Sequence, residues 1–167
     1  IGVEEERRRV QQDLVFKNTL LSAQQEASID GILVVDGEGK IVMFNRRFAE
    51  ILGIPDKVLA LRSDERALLF VLNRLADPEE FLKRVNYLYA HRKETSREEI
   101  SLSDGRTLDR YSAPLFGPAG EYFGRMWNFR DITERRQALQ ELRESEERFR
   151  VLFEKSSTGI MLVDMET

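Results

Sequence analysis

Ala-Ser-Ile-Asp-Gly-Ile-Leu-Val-Val-Asp, residues 27–36, sets a glycine at the head of a short β-branched run, Gly31–Asp36, that reads as the first strand of the chain. The pattern returns 128 positions later as Lys-Ser-Ser-Thr-Gly-Ile-Met-Leu-Val-Asp, residues 155–164. Gly31, Ile32, Val35 and Asp36 fall in register with Gly159, Ile160, Val163 and Asp164. Self-similarity at a fixed offset marks a repeated unit. The expectation is one complete domain over residues 23–132 and the truncated start of a second over 154–167, cut from a longer tandem array. Repeated modules serve more often as sensors or adaptors than as the catalytic part of a protein.

After the first strand, Asp36-Gly37-Glu38-Gly39 supplies hairpin chemistry, and Lys40–Phe44 is the return strand. Asn45 stands where a side chain can cap the helix Arg46–Leu52, which Gly53 and Pro55 end. Residues 56–92 are helix-rich. Ala67, Leu68, Val71, Leu72 and Leu75 recur at helical spacing, and Asp77-Pro78-Glu79-Glu80 is a helix start whose apolar stripe is Phe81, Val85, Leu88 and Tyr89. Arg97–Ser103 then meets Arg106–Leu115 across Asp104-Gly105, and Gly117-Pro118-Ala119-Gly120 turns into Glu121–Arg130. Two strands, helices and three strands make an α+β domain, with helices on one face of a five-stranded antiparallel sheet.

Both ends read as helices. Residues 1–22 form an N-terminal amphipathic helix in which Val3, Val10, Leu14 and Leu21 take alternating seven- and four-residue steps. It either lies on its own domain or forms a parallel coiled-coil seam with a second chain. Residues 133–153 form a C-terminal linker helix; Ile132, Leu139, Glu146 and Phe153 repeat every seven residues, as do Arg135, Leu142 and Phe149.

Composition narrows the function. The 167 residues suit one domain with flanking helices, and 41% hydrophobic content supports a core. A net charge of −4 leaves no basic footprint for nucleic acid. With no cysteine there are no disulfides, thiolate metal sites or cysteine-linked chromophores. The apolar run Ala67–Leu72 is far shorter than the roughly 18 residues a membrane span needs. A cytoplasmic fragment without direct membrane contact is expected, from a parent that could itself be membrane-anchored; the isoleucine start reads as a trimmed chain.

The chain resembles the PAS domain family of bacterial signalling proteins. Asp30-Gly31-Ile32 through Val35-Asp36, Gly39-Lys40-Ile41, Phe44-Asn45 before a short helix ending Leu52-Gly53, Asp104-Gly105-Arg106, Ala113-Pro114-Leu115 and Gly120…Gly124 carry the resemblance. So does Phe129-Arg130-Asp131-Ile132-Thr133-Glu134-Arg135, leaving the last strand for a charged helix. It implies a PAS-like fold, a homodimer joined by the flanking helices, and a signal passed through Asp131, Thr133, Leu139 and Leu142 to an output domain. It also implies a cavity between sheet and helices that takes a small-molecule ligand in some members.

Phe70, Tyr87, Arg110, Tyr111, Trp127 and Phe129 are the candidates to line that cavity. Trp127 and Phe129 share a strand face, which the resemblance turns inward; two large rings there leave less room and read first as core. Arg110 facing inward would imply a carboxylate ligand; facing outward, the preferred reading, it is a solvated strand residue. A packed, empty core is as well supported as a ligand. The cofactor is unknown. Haem is disfavoured because His91, the one histidine, falls at a helix end later than the position haem-binding relatives use. Cysteinyl-flavin photochemistry is disfavoured for want of a cysteine.

Neither a Ser/His or Cys/His pair, nor a metal-spaced cluster, nor a phosphate-loop glycine pattern is present. The expected function is therefore a sensory, signal-transducing module that is not itself an enzyme, from a parent such as a sensor histidine kinase of a two-component system. The alternatives are the PAS module of a diguanylate cyclase, a ligand-free structural dimerisation domain, or an unrecognised enzyme on a similar scaffold.

Overall fold

The computed structural model describes residues 2–166, with side chains through residue 156. Two compact units divide the chain, Ile1–Asp131 and Ile132–Thr167. The first holds α1 (Gly2–Glu26), β1 (Gly31–Asp36), β2 (Ile41–Phe44), α2 (Arg46–Leu52), α3 (Asp56–Leu59), α4 (Asp64–Leu72), α5 (Pro78–Ala90), β3 (Ser96–Ser101), β4 (Thr107–Phe116) and β5 (Tyr122–Asp131). The second is α6, Thr133–Glu166.

The strands make one sheet in the order β2-β1-β5-β4-β3, every pair antiparallel. The first and last strands of the domain thus meet at its centre, Leu33 opposite Trp127 and Gly31 opposite Phe129. Local chemistry fixes the boundaries. Asp36 accepts from the amides of Glu38 and Lys40 to close the β1–β2 turn, where Gly39 takes a φ of 83°. Asn45 caps α2 through the Phe48 amide, Gly53 ends that helix in the left-handed region, and Asp77 caps α5 through Glu80. Gly31 serves packing: a Cβ there would lie 2.7 Å from the Phe48 Cα, so α2 rests directly on β1.

The core fills the space between the inner sheet face and helices α2 to α5, with Val35, Ile41, Phe48, Ile51, Leu59, Leu88 and Leu108 all but inaccessible. α1 does not share it. None of its residues is buried, and Val3, Val10, Leu14, Val15, Phe16, Leu20 and Leu21 are 48–69% exposed. The apolar seam predicted from spacing is real but does not lie on its own domain. α1 is tied down at its last turn: the Asn45 amide donates to the Gln25 carbonyl at 2.8 Å, and the Glu26 carboxylate accepts from the Arg46 amide.

The sequence predicts a linker helix that stops at residue 153, whereas α6 is one helix from Thr133 to Glu166. A strand must find a neighbour for its backbone groups, while a helix satisfies them within the segment. The expected start of a second unit over 154–167 falls within α6 as far as Glu166, with side chains described only through residue 156, and a second repeat is not shown. No helix among the described residues is long and apolar enough to cross a membrane.

Candidate functional site

A small cavity of about 30 Å³ lies inside the domain, against the inner face of the sheet. Leu33 of β1 and Trp127 and Phe129 of β5 form its floor; α2 contributes Phe48 and Leu52, α4 contributes Asp64, Ala67, Leu68 and Val71, and α5 contributes Phe81, Val85 and Tyr89. Strand alternation puts Trp127 and Phe129 on the same side, and both are buried. Phe48 tilts against Phe129 at 5.7 Å, and Tyr89 meets Trp127 edge-on at 5.8 Å.

The cavity wall carries two polar contacts. The Tyr89 hydroxyl donates to the Asp64 carboxylate, whose residue is only 9% exposed. Burial raises the Asp64 pKa, against the lowering effect of the Tyr89 hydrogen bond. Burial and the neighbouring Asp64 charge likewise push Tyr89 up. The Trp127 indole N–H is buried next to the Tyr89 hydroxyl and, among the described residues, makes no well-formed hydrogen bond.

Beside the cavity, Arg110 is buried, contrary to the preferred outward reading. Leu108, Arg110 and Ser112 share one parity of β4 and all face inward. Its carboxylate partner belongs to the chain itself: Nη2 donates to Glu98 Oε2 at 2.8 Å. The guanidinium lies over the rings of Phe81 at 4.5 Å and Trp127 at 5.4 Å. Glu98 also accepts from Arg84 at 2.5 Å and Ser96 at 2.6 Å. Burial pushes the Glu98 pKa up, but the Ser96 hydroxyl and the two guanidinium groups outweigh it and hold the carboxyl below its ordinary value. Burial lowers the Arg110 pKa against the pull of Glu98.

The other pocket candidates lie elsewhere. Tyr111 points to the opposite face and is exposed, because consecutive strand residues cannot both face inward. Tyr87 is exposed at the end of α5, bonded to Glu94 and stacked on His91 at 4.0 Å. Phe70 packs half-buried against the core under Arg74. His91 is exposed, with Nδ1 2.8 Å from the Tyr87 carbonyl. Asp131 ends β5, Thr133 opens α6, and Leu139 and Leu142 are exposed on α6.

Two polar anchors, Arg125 and Asp30, escape the sequence reading, and Asn45 does more than the helix cap it predicts. Arg125, fully buried, donates from Nη2 to the carbonyls of Leu88 (3.2 Å) and Glu94 (2.9 Å), and from Nη1 to Ser112, so it caps the C-terminal end of α5 from the sheet. Asn45, also fully buried, accepts from the amides of Ile32 and Phe48 and donates to the carbonyls of Gln25 and Asp30. Asp30 takes a two-pronged bond from Arg130 at 2.7 and 2.9 Å and an Asn128 amide at 3.3 Å. The Arg130 hydrogen bond holds its carboxyl below the usual range despite partial burial.

The fold has known counterparts. The PAS domain of BvgS from Bordetella pertussis is similar over 78% of this chain and 97% of its own, at 19% identity and a TM-score of 0.55. The PAS domain of an HTR-like protein from Haloarcula marismortui follows over 75% and 99%, at 22% and 0.52. An RNA-binding light-oxygen-voltage receptor matches over 78% of this chain but 37% of its own, at 18% and 0.54. Likeness at such identities speaks for the fold alone. No curated protein sequence matches the chain. The sequence profile of the PAS fold matches residues 27–140, most of the chain, and on that ground the protein belongs to the PAS family.

Proposed function

We propose that this chain is the sensory input module of a bacterial signalling protein, a sensor histidine kinase above other parents, and that it works as a homodimer in the cytoplasm. The observation that carries the reading is the unpartnered seam of α1. Val3, Val10, Leu14 and Leu21, one stripe of the helix, are 53–69% exposed, and α1 buries nothing, although its final turn is bonded to the domain through Asn45 and Glu26. A second copy of α1, side by side, would cover that seam by coiled-coil packing. In this reading the cavity is the sensing site. β5 carries Trp127 and Phe129 on it and ends at Asp131, with one residue, Ile132, between it and the start of α6. A change at the cavity then reaches the output domain along β5 and α6, without catalysis in this module.

Light scattering on the chain at micromolar concentration should give the mass of two chains. Changing Val10 and Leu14 together to glutamate should give the mass of one and leave domain melting nearly unchanged, since neither side chain is buried. A one-chain mass for the unaltered protein refutes the dimer. For the relay, a charged residue at Leu139 or Leu142 should alter output of the parent without unfolding the domain; unfolding would make α6 part of the core.

A ligand-free dimerisation domain has one observation in its favour, the 30 Å³ of free space, which admits about two water-sized spheres.

A further inference from the structure

We propose that the cavity binds a small ammonium ion, a primary or methylated amine of about one to three heavy atoms, with Asp64 as its counter-ion; this rests on the reading of the cavity as the sensing site. Asp64 is 91% buried, and among the described residues its carboxylate is bonded by the Tyr89 hydroxyl and by no cation. Buried carboxylates ordinarily have a cationic partner, because an ionised oxygen taken from water is costly to leave unpaired. Five rings, Phe48, Phe81, Tyr89, Trp127 and Phe129, share the cavity wall with six aliphatic side chains, and Arg110 lies over Phe81 and Trp127. Ring faces attract organic cations, and five rings with one carboxylate offer a metal ion too few oxygen ligands. The arginines nearby, Arg110 and Arg125, are engaged with Glu98 and with backbone carbonyls and do not bond Asp64. The free volume of about 30 Å³ sets the size limit. The Trp127 indole N–H, on the same wall and without a well-formed hydrogen bond among the described residues, would donate to a ligand oxygen where the amine carries one.

Trp127 is the sole tryptophan, so its emission and its indole N–H resonance report on this cavity alone. The chain is titrated with methylammonium chloride against potassium chloride at equal ionic strength, with tetramethylammonium as a size control and acetate and methanol as charge controls. Methylammonium should shift the indole resonance saturably, with half-saturation no tighter than about 10 mM for two heavy atoms. Potassium and tetramethylammonium should not. Asp64→Asn should weaken the response at least tenfold while its melting temperature stays at or above that of the unaltered chain; Glu65→Gln, on the exposed neighbour, should leave it unchanged. A response unaffected by Asp64→Asn, or shared equally by potassium, overturns the proposal. Saturable binding of acetate or methanol in place of the amine refutes the ligand class while leaving a sensing cavity. Silence of Trp127 to every probe counts against both.

Discussion

Replacing Asn45 with alanine should release the domain's hold on α1 and destabilise the whole fold. The side chain is fully buried and makes four hydrogen bonds, all within 3.0 Å, to backbone groups of α1, β1 and α2. Loss of the α2 cap costs about 1 kcal/mol. The Ile32 amide loses its side-chain acceptor in a buried setting, worth roughly 1–2 kcal/mol, and the Gln25 and Asp30 carbonyls each lose one donor, together about 1 kcal/mol. The sum is about 3–4 kcal/mol, which for a domain of this size lowers the melting temperature by roughly 10 °C. Asn45→Asp is the sharper probe. It keeps both accepting contacts and the shape, but turns the donating end into a carboxylate oxygen facing two carbonyls, so it should be at least as damaging as alanine. Melting followed by circular dichroism at fixed protein concentration measures the first effect. Hydrogen exchange at residues 25–30, which should quicken in both variants, measures the second. Tolerance of Asn45→Asp, or a drop below about 3 °C for alanine, would show that the donated bonds hold nothing and that α1 is tethered only by Glu26 and chain connectivity.

Arg125→Met keeps the aliphatic stem but strips the α5 terminus of its donor; we expect a loss of about 2–4 kcal/mol in urea unfolding and faster hydrogen exchange at residues 91–95. Asp64→Asn should be neutral or stabilising above the raised folded pKa of Asp64. The native state binds that proton more tightly than the unfolded chain, so its burial weakens the fold as pH rises from about 4 through the folded pKa, and the variant's advantage should grow over that window in urea titrations at several pH values. An advantage that shrinks with rising pH contradicts the placement of the charge. Asp30→Asn behaves oppositely. With the folded pKa depressed by Arg130, the ion pair contributes fully above about pH 4 and is lost as pH falls through the folded value, so variant and parent should differ at neutral pH by about 1 kcal/mol and converge in acid.

How much of this was readable in advance depends on how local the cause is. As helix caps Asn45, Gly53 and Asp77 act on backbone within four residues of themselves, so cap chemistry in the sequence places them, whereas the bonds of Asn45 to Gln25, Asp30 and Ile32, 13 to 20 residues away, leave no such local sign. Strand β4 shows where reading fails. A charged residue in a strand is ordinarily solvent-facing, yet Leu108 already fixes the inward parity of the strand, and Arg110 and Ser112 inherit it. That signal was present and outweighed by the charge. The compensating partners lie far off: Glu98 is 12 residues from Arg110, and the Leu88 carbonyl is 37 residues from Arg125. Asp64 is hidden for a similar reason, since it stands in the first turn of α4, where an acid needs no further explanation, and only Tyr89, 25 residues on, makes it a cavity group.

The buried polar groups missed by the sequence converge on one strand. β5 presents Arg125, Trp127 and Phe129 to the interior, and its alternate positions Asn128 and Arg130 to Asp30 at the start of β1. Trp127 sits between the guanidinium groups of Arg110 and Arg125, at 5.4 and 6.0 Å, and edge-on to Tyr89. Tyr89 and Arg125 in turn hold the same end of α5, one from the cavity and one from the sheet. Under the proposed relay, a cation that draws Asp64 away from Tyr89 would loosen the α5 terminus on one side only, leaving the Arg125 bonds to oppose the movement. The strain would then fall on β5, which carries Arg125 and which Tyr89 meets at the Trp127 ring. An apolar replacement of the Asp64–Tyr89 pair would pack the cavity better and remove the asymmetry, so the pair's cost to stability is what the sensing reading predicts.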